Sequence, residues 1–314
     1  MVKIKFIYFG SSEFSRIILE GLSKNGYLPS LIVTKPDKPK GRGLKIQSTE
    51  VSSFAQARKL TCIKPVSLVN LDLKNELDKK NADFFIIADY GKIIPSSLLF
   101  LSKIFPLCVH PSLLPFYRGA APIETAILNS EVETGVTIFK VNEKVDAGDI
   151  ILQRKVSINY SDNFFLLQKK LAEIGVSLLI ESLNKIINKD YMLIPQNDKK
   201  VTFTSKLKKE DGRIFWVAPA RKIRDLIRAT LGWPSAYTYY KGVMIKVLAV
   251  DIIEEKTPDL PATIIRVNKK GIYVATGDGV LRIRKLQPQG KREMDSWAFI
   301  CGHNIKEGNR FSAK

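Results

Sequence analysis

The chain has 314 residues, of which 45% are hydrophobic and 26% charged. This ordinary globular composition excludes wholesale disorder and allows about two domains. Lys and Arg number 50 against 31 Asp and Glu, giving a net charge of +19 at pH 7. Such an excess suits a polyanionic partner, nucleic acid ahead of an anionic membrane. Abundant Lys, Ile and Asn also fit coding bias in an AT-rich genome. The three cysteines (Cys62, Cys108, Cys301) form no CxxC pair, so neither a zinc site nor a disulfide framework is suggested. The start lacks a signal-peptide pattern, and no apolar run approaches the ~18 residues of a membrane helix. A soluble cytoplasmic protein with no metal and no membrane contact is expected.

The first two-thirds alternates strand and helix signals. Ile4–Phe9 reads as a strand, ended by Gly10-Ser11-Ser12. Phe14, Ile17, Ile18, Leu19 and Leu22 then recur at helical spacing. Leu31–Thr34 is a second strand running into the loop Lys35-Pro-Asp-Lys-Pro-Lys-Gly-Arg-Gly43. Phe84–Ala88 is a continuous apolar run, as in a strand buried on both faces. Leu107–His110, Val136–Val141 and Ile150–Val156 read as further strands, Ala120–Leu128 and Asn163–Ile187 as helices. The rhythm implies an α/β domain over 1–205, a Rossmann-like, mostly parallel sheet with helices on both faces.

Past residue 205 the texture changes. A helix is expected over Arg221–Leu231. Short strands follow at Ala236–Tyr240, Met244–Val250, Thr263–Val267, Ile272–Ala275 and Leu281–Lys285, divided by turn signals. This predicts a smaller C-terminal domain over 206–314, an OB-like β-barrel suited to nucleic acid. These 109 residues hold 22 Lys/Arg against 11 Asp/Glu, more than twice the net basicity per residue of the rest. Coding bias alone does not predict that asymmetry.

Two histidines exist. His110 ends a buried strand, where open α/β sheets bind ligands, and is a candidate acid/base or a core histidine. His303 is expected in a surface turn. Asp146, in Val145-Asp-Ala-Gly-Asp149, is either a plain turn aspartate or a carboxylate facing His110. Dinucleotide, P-loop and nucleophile-elbow patterns are missing. The loop cations Lys38, Lys40, Arg42 and Lys45 suit a phosphate clamp, and Lys291 and Arg292 in a turn offer a second contact.

The string His110-Pro-Ser-Leu-Leu-Pro-Phe-Tyr-Arg-Gly-Ala-Ala-Pro-Ile123, then Glu133-Thr-Gly-Val-Thr-Ile138 and Val145-Asp-Ala-Gly-Asp-Ile150, resembles the folate-dependent formyltransferases. Within them it is most similar to the branch whose acceptor is methionyl-tRNA. Thr34–Gly43 resembles that branch's tRNA-contacting insertion loop and Lys206–Ile214 its interdomain segment. Ala275–Gly279 and Leu286–Lys291 resemble parts of its C-terminal barrel. The similarity runs from Phe9 to about Arg310. His-Pro-Ser-Leu-Leu-Pro alone marks only the superfamily.

The resemblance implies formyl transfer from 10-formyltetrahydrofolate, a cosubstrate rather than a resident cofactor, to the α-amino group of initiator Met-tRNA. It assigns catalysis to His110 and Asp146. It assigns folate contacts to Ser112, Leu113, Leu114 and Pro115 and to Ala88, Asp89, Tyr90 and Gly91. A monomer is expected. One departure matters: the family's Asn, two residues before the His, is Cys108 here. A thiol is a weak single donor where a carboxamide has two. The enzyme is then slow, compensated by another donor, or inactive. Asp89 and Phe105-Pro-Leu107 also depart from the family pattern. Two other functions stay open: a formyltransferase for a small amine or sugar nucleotide, which needs no basic loop or basic domain, and a tRNA-binding homologue that has lost catalysis.

Overall fold

The computed structural model describes residues 4–40, 43 and 45–312. The chain divides into two compact units. The first comprises Met1–Pro122, Glu133–Ser157 and Gln168–Thr204; the second comprises Ile123–Val132, Ile158–Leu167 and Ser205–Lys314.

The first unit opens with strand β1 (Phe6–Gly10) and helix α1 (Glu13–Lys24). The helix starts where Ser12 accepts a hydrogen bond from the Ser15 amide, with Glu13 in its first turn and Lys24 in its last, charges that complement the helix dipole. Its buried apolar face is Phe14, Ile18, Leu19 and Leu22; Ile17, the fifth residue of the stripe read from the sequence, is only half-buried. Then come β2 (Leu31–Val33), β3 (Lys38–Lys40), β4 (Lys45–Gln47), α2 (Glu50–Ala57), β5 (Cys62–Ile63), α3 (Leu71–Lys79), β6 (Phe84–Ala88), α4 (Ser96–Leu99), β7 (Phe105–His110), β8 (Arg118–Gly119), α5 (Pro122–Leu128), β9 (Glu133–Lys140), β10 (Ile150–Ser157), α6 (Phe164–Ile187) and β11 (Phe203–Thr204); of these, α5 beyond Pro122 and α6 up to Leu167 belong to the second unit.

Seven strands form one sheet in the order β10-β9-β7-β6-β1-β2-β5. β9 alone runs against its neighbours; β7, β6, β1, β2 and β5 are parallel. Every residue of β1 is buried, so both sheet faces are covered, as a parallel sheet requires. Chain order reverses at β1, which lies between β2 and β6. Gly10, Ala88 and His110 therefore mark one carboxyl edge, where such sheets bind ligands.

The basic segment expected as an open loop differs. β3 and β4 form an antiparallel hairpin, pairing Lys38 with Gln47 and Pro39 with Ile46. The proline has no N–H to give the ladder, which confines it to an edge strand, and this two-stranded ribbon consists of edges alone.

In the second unit, α7 (Ala220–Ala229) precedes β12 (Tyr237–Tyr240), β13 (Val243–Ile253), β14 (Ile264–Asn268), β15 (Gly271–Ala275), β16 (Val280–Pro288), β17 (Met294–Asp295) and α8 (Ser296–His303). The sheet is antiparallel, ordered β12-β13-β16-β15-β14, with β17 on β16. Its core includes Trp216, Ile223, Ile245, Leu281, Phe299 and Phe311. The chain end bridges the sheet's two edges: Phe311 donates to Ala262 beside β14, and Ser312 exchanges hydrogen bonds with Tyr239 of β12. That arrangement is compatible with the small barrel expected. His303, expected in a turn, is instead the last residue of α8. It is exposed and stacked on Phe299 at 4.1 Å.

Candidate active site

His110 ends β7 and is 5% exposed. Its Nε2 lies 3.0 Å from the Tyr117 carbonyl. A carbonyl only accepts, so Nε2 carries the hydrogen. The opposite nitrogen, Nδ1, lies 3.7 Å from Asp146 Oδ2. The imidazole thus turns its second nitrogen toward a carboxylate. The separation exceeds a hydrogen bond, and such contacts often tighten only with substrate present.

Asp146 sits in the turn between β9 and β10 with a left-handed backbone, φ +50. Its Oδ2 accepts the Gly119 amide at 2.8 Å. Gly119 itself has φ +118, and a Cβ there would lie 2.2 Å from the Thr204 carbonyl oxygen. Only glycine fits this approach of β8 to β11, and β8 in turn aims the amide that holds Asp146.

Cys108 lies on the same face of β7 as His110, since alternate strand residues share a face. It is half-buried between Ile87 of β6 and Phe139 of β9. Burial, reinforced by the negative charges of Asp146 and Asp89, pushes its thiol well above the ordinary cysteine range. The group present at neutral pH is therefore S–H, a weak donor and a poor nucleophile.

Beside Cys108 and Asp146 opens a cavity of about 150 Å³, walled by Ile87, Ile94, Leu99 and Phe139. A second cavity of about 400 Å³ lies across Asn142–Lys144, lined also by Arg118, Ala147 and Asp198. Asn142, Glu143 and Lys144 border both hollows, and Asp146 faces the first.

Ser112 is fully buried, and its hydroxyl donates to the Phe116 carbonyl at 2.6 Å. Its carbonyl accepts Thr137 Oγ1 at 2.6 Å, and Gln153 Nε2 reaches the Leu114 carbonyl at 2.7 Å. Thr137 and Gln153 thereby set the shape of the Ser112–Pro115 turn. Ala88 and Tyr90 are buried, Asp89 is exposed with φ +41, and Gly91 has φ +71. Burial pushes the Tyr90 phenol up to about 12. None of Ser112–Pro115 or Ala88–Gly91 lines the 150 Å³ cavity; Ile94, Leu99 and Phe139 line it instead, and sequence reading missed them because they read as ordinary core. Lys38 is exposed, Arg42 lies outside the described residues, and so do the side chains of Lys40 and Lys45. Lys291 and Arg292 are exposed in a turn where the Lys291 amide donates to the Pro288 carbonyl. Among the described residues, no group of three or more His, Cys, Asp and Glu is placed to hold a metal ion.

A family model described as Formyl transferase matches residues 2–183, and one described as Formyl transferase, C-terminal domain, matches residues 206–304. The chain is 37% identical over 308 residues to a methionyl-tRNA formyltransferase of Caldanaerobacter subterraneus, covering 97% of this chain and 99% of the relative. It is 40% identical over 313 residues to that of Dictyoglomus turgidum, covering 98% and 99%. Among solved structures, HypX from Aquifex aeolicus in complex with tetrahydrofolic acid superposes with a TM-score of 0.67 at 18% identity, over 97% of this chain and 48% of that one, about half its length. At that identity the likeness speaks for the fold alone. Two domain models matched in order and relatives this similar from end to end establish that the chain belongs to the methionyl-tRNA formyltransferase family.

Proposed function

We propose that the chain transfers the formyl group of 10-formyltetrahydrofolate to the α-amino group of methionyl-tRNA, and that His110 and Asp146 carry the chemistry. The observation that carries the reading is the 3.7 Å approach of His110 Nδ1 to Asp146 Oδ2 at the sheet's carboxyl edge, beside an apolar cavity. The α-amino nitrogen attacks the formyl carbon, and the formyl oxygen becomes an oxyanion. The bond from the formyl carbon to the folate nitrogen then breaks, and that nitrogen takes the proton the amine gives up. His110, held between the Tyr117 carbonyl and Asp146, stabilises the oxyanion, and Asp146 relays the proton through water. The Cys108 thiol adds a weak donor. The apolar cavity suits the flat pterin ring.

The exposed cations Lys38, Lys291 and Arg292, with Lys40, Arg42 and Lys45 of the hairpin segment, are read as phosphate contacts. The division of labour follows: residues 1–205 catalyse and, through the 38–45 segment, touch the tRNA, while residues 206–314 supply its main hold. A cytoplasmic monomer is the working form; among the described residues no helix is long and apolar enough to cross a membrane. Labelled formyl donor incubated with Met-tRNA tests the function. Labelled formyl-Met must appear above a no-enzyme control, and its absence overturns the proposal. A KM for the acceptor that ignores salt would point instead to a small amine or sugar nucleotide.

A further inference from the structure

We propose that Gln196 is a positioning residue for Asp146, with Arg118 setting the orientation of its amide. The inference rests on the reading of His110 and Asp146 as the reacting pair.

Asp146 holds a left-handed backbone, which a residue with a side chain keeps only when its surroundings fix it. Two pins do so. The Gly119 amide holds the carboxylate at 2.8 Å. Gln196 holds the main chain: its Nε2 donates to the Asp146 carbonyl at 2.9 Å and to the Gly148 carbonyl at 2.8 Å. Gly148 leaves the turn little room, since a Cβ there would lie 1.7 Å from the Lys140 carbonyl oxygen.

The amide of Gln196 has one orientation. Arg118 offers only donors, and its Nε and Nη2 reach Oε1 at 3.0 and 2.8 Å. The two turn carbonyls only accept. Oxygen must face the guanidinium and nitrogen the turn, so the carboxamide uses both hydrogens and both lone pairs. Arg118 is 5% exposed and is further tied to Asp198 at 3.2 Å.

The tripeptide Tyr117–Gly119 thereby gathers the whole constellation. The Tyr117 carbonyl orients His110, Arg118 orients Gln196, and the Gly119 amide holds the Asp146 carboxylate. It is itself fixed by Thr202, whose Oγ1 accepts the Tyr117 amide at 2.8 Å and whose carbonyl accepts the Arg118 amide at 2.9 Å. Without Gln196 the turn keeps its side-chain pin and the backbone bonds at its two ends, Ala147 N–H to the Lys144 carbonyl and Lys140 N–H to the Asp149 carbonyl, but the Asp146 and Gly148 carbonyls lose their donor, and the carboxylate drifts from Nδ1. A misplacement of about 1 Å costs on the order of 100-fold in rate.

The test uses the full chain with Gln196→Met, which keeps the length of the side chain, and Gln196→Ala as a second variant. Both are expected to lower kcat by about 10- to 100-fold while KM for each substrate stays within about twofold. In an Asp146→Asn background the same change is expected to cost less than about threefold, because the two residues act as a unit. Losses that multiply across the two backgrounds, or that fall on KM alone, overturn the proposal. Amide exchange supplies a readout free of activity. Protection of the Gly119 N–H is expected to fall about tenfold in Gln196→Met, while that of Val109 in the neighbouring strand holds; unchanged Gly119 exchange overturns the positioning role. An unsubstituted enzyme that transfers no formyl group would sink the assigned function, and the exchange measurement would still decide whether Gln196 holds Asp146.

Discussion

His110 Nδ1 faces Asp146 Oδ2 at 3.7 Å, while the other ring nitrogen is committed to the Tyr117 carbonyl. The ring therefore has one nitrogen fixed by the fold and one left to face Asp146 and the reaction. His110→Ala removes the donor, and Asp146→Asn removes the charge while keeping an oxygen for the Gly119 amide. Each is expected to lower kcat by about 10²- to 10⁴-fold, the range for a positioned acid or base. The double variant is expected to be no worse than the poorer single, since paired groups are non-additive. Labelled formyl transfer to Met-tRNA measures all three.

Cys108 sets the size of the oxyanion term. It shares a strand face with His110 and borders the 150 Å³ cavity, so the added bulk of an asparagine has room beside it. Cys108→Asn is expected to raise kcat, because one good oxyanion donor contributes about 2.7–4 kcal/mol. A rate that is unchanged or lower would mean that another donor already supplies the term.

The same thiol predicts an order of chemical modification. Burial and the nearby charges of Asp146 and Asp89 raise the Cys108 pKa, so its thiolate forms only above the pH at which an ordinary cysteine ionises. Cys301 is exposed. Iodoacetamide between pH 7 and pH 8.5 is expected to label Cys301 first and Cys108 last, with the Cys108 rate still climbing at the top of that range. Peptide mass mapping over time reads the order.

What was legible in the sequence was whatever has a local cause. Phe84–Ala88 was bounded correctly because a strand buried on both faces is an unbroken apolar run. His110 was found because it stands where such a run ends. The nearness of Asp146 was only one of two open readings, since nothing in Val145–Asp149 tells which way the turn folds. Gln196 carried no signal at all: it lies 50 residues past Asp146 in an irregular segment, and only tertiary structure brings it back. β8 and β11 were invisible for the same reason, being two residues each and joined over some 85 positions. α8 was hidden by Gly302 near its end, a poor helix former; the Asp295 cap on the Ala298 amide and the left-handed Asn304 define it instead.

The basicity of the second unit is less available than its count suggests, and Asp225 is the reason. This carboxylate is fully buried. It accepts Arg224 at 2.7 Å, Arg228 at 3.0 Å and the Ser130 hydroxyl at 2.6 Å. Arg224 also stacks over Tyr160 at 4.0 Å, and Arg228 Nη1 donates to the Asp162 carbonyl at 2.6 Å. These two arginines are structural. Asp225→Ala is expected to destabilise by about 3–5 kcal/mol, because it leaves buried guanidinium charge uncompensated. Urea unfolding followed by circular dichroism checks it, and a loss below about 1 kcal/mol would mean that Tyr160 and the carbonyls carry the arginines unaided.

The cations that remain outward are the ones to test for tRNA. Lys38 is exposed on β3, and Lys291 and Arg292 are exposed between β16 and β17. Substituting Lys38, Lys291 or Arg292 with Gln is expected to weaken Met-tRNA binding and leave folate affinity unchanged. Each lost phosphate contact lowers the steepness of log K against log salt by about 0.7–0.9. A filter-binding titration at several salt concentrations reads both quantities at once. A residue whose loss weakens binding without changing the slope acts through the fold rather than on a phosphate. Arg42→Leu is expected to raise KM for tRNA with little effect on the folate, and an equal loss for both ligands would refute the assignment of that segment to the acceptor.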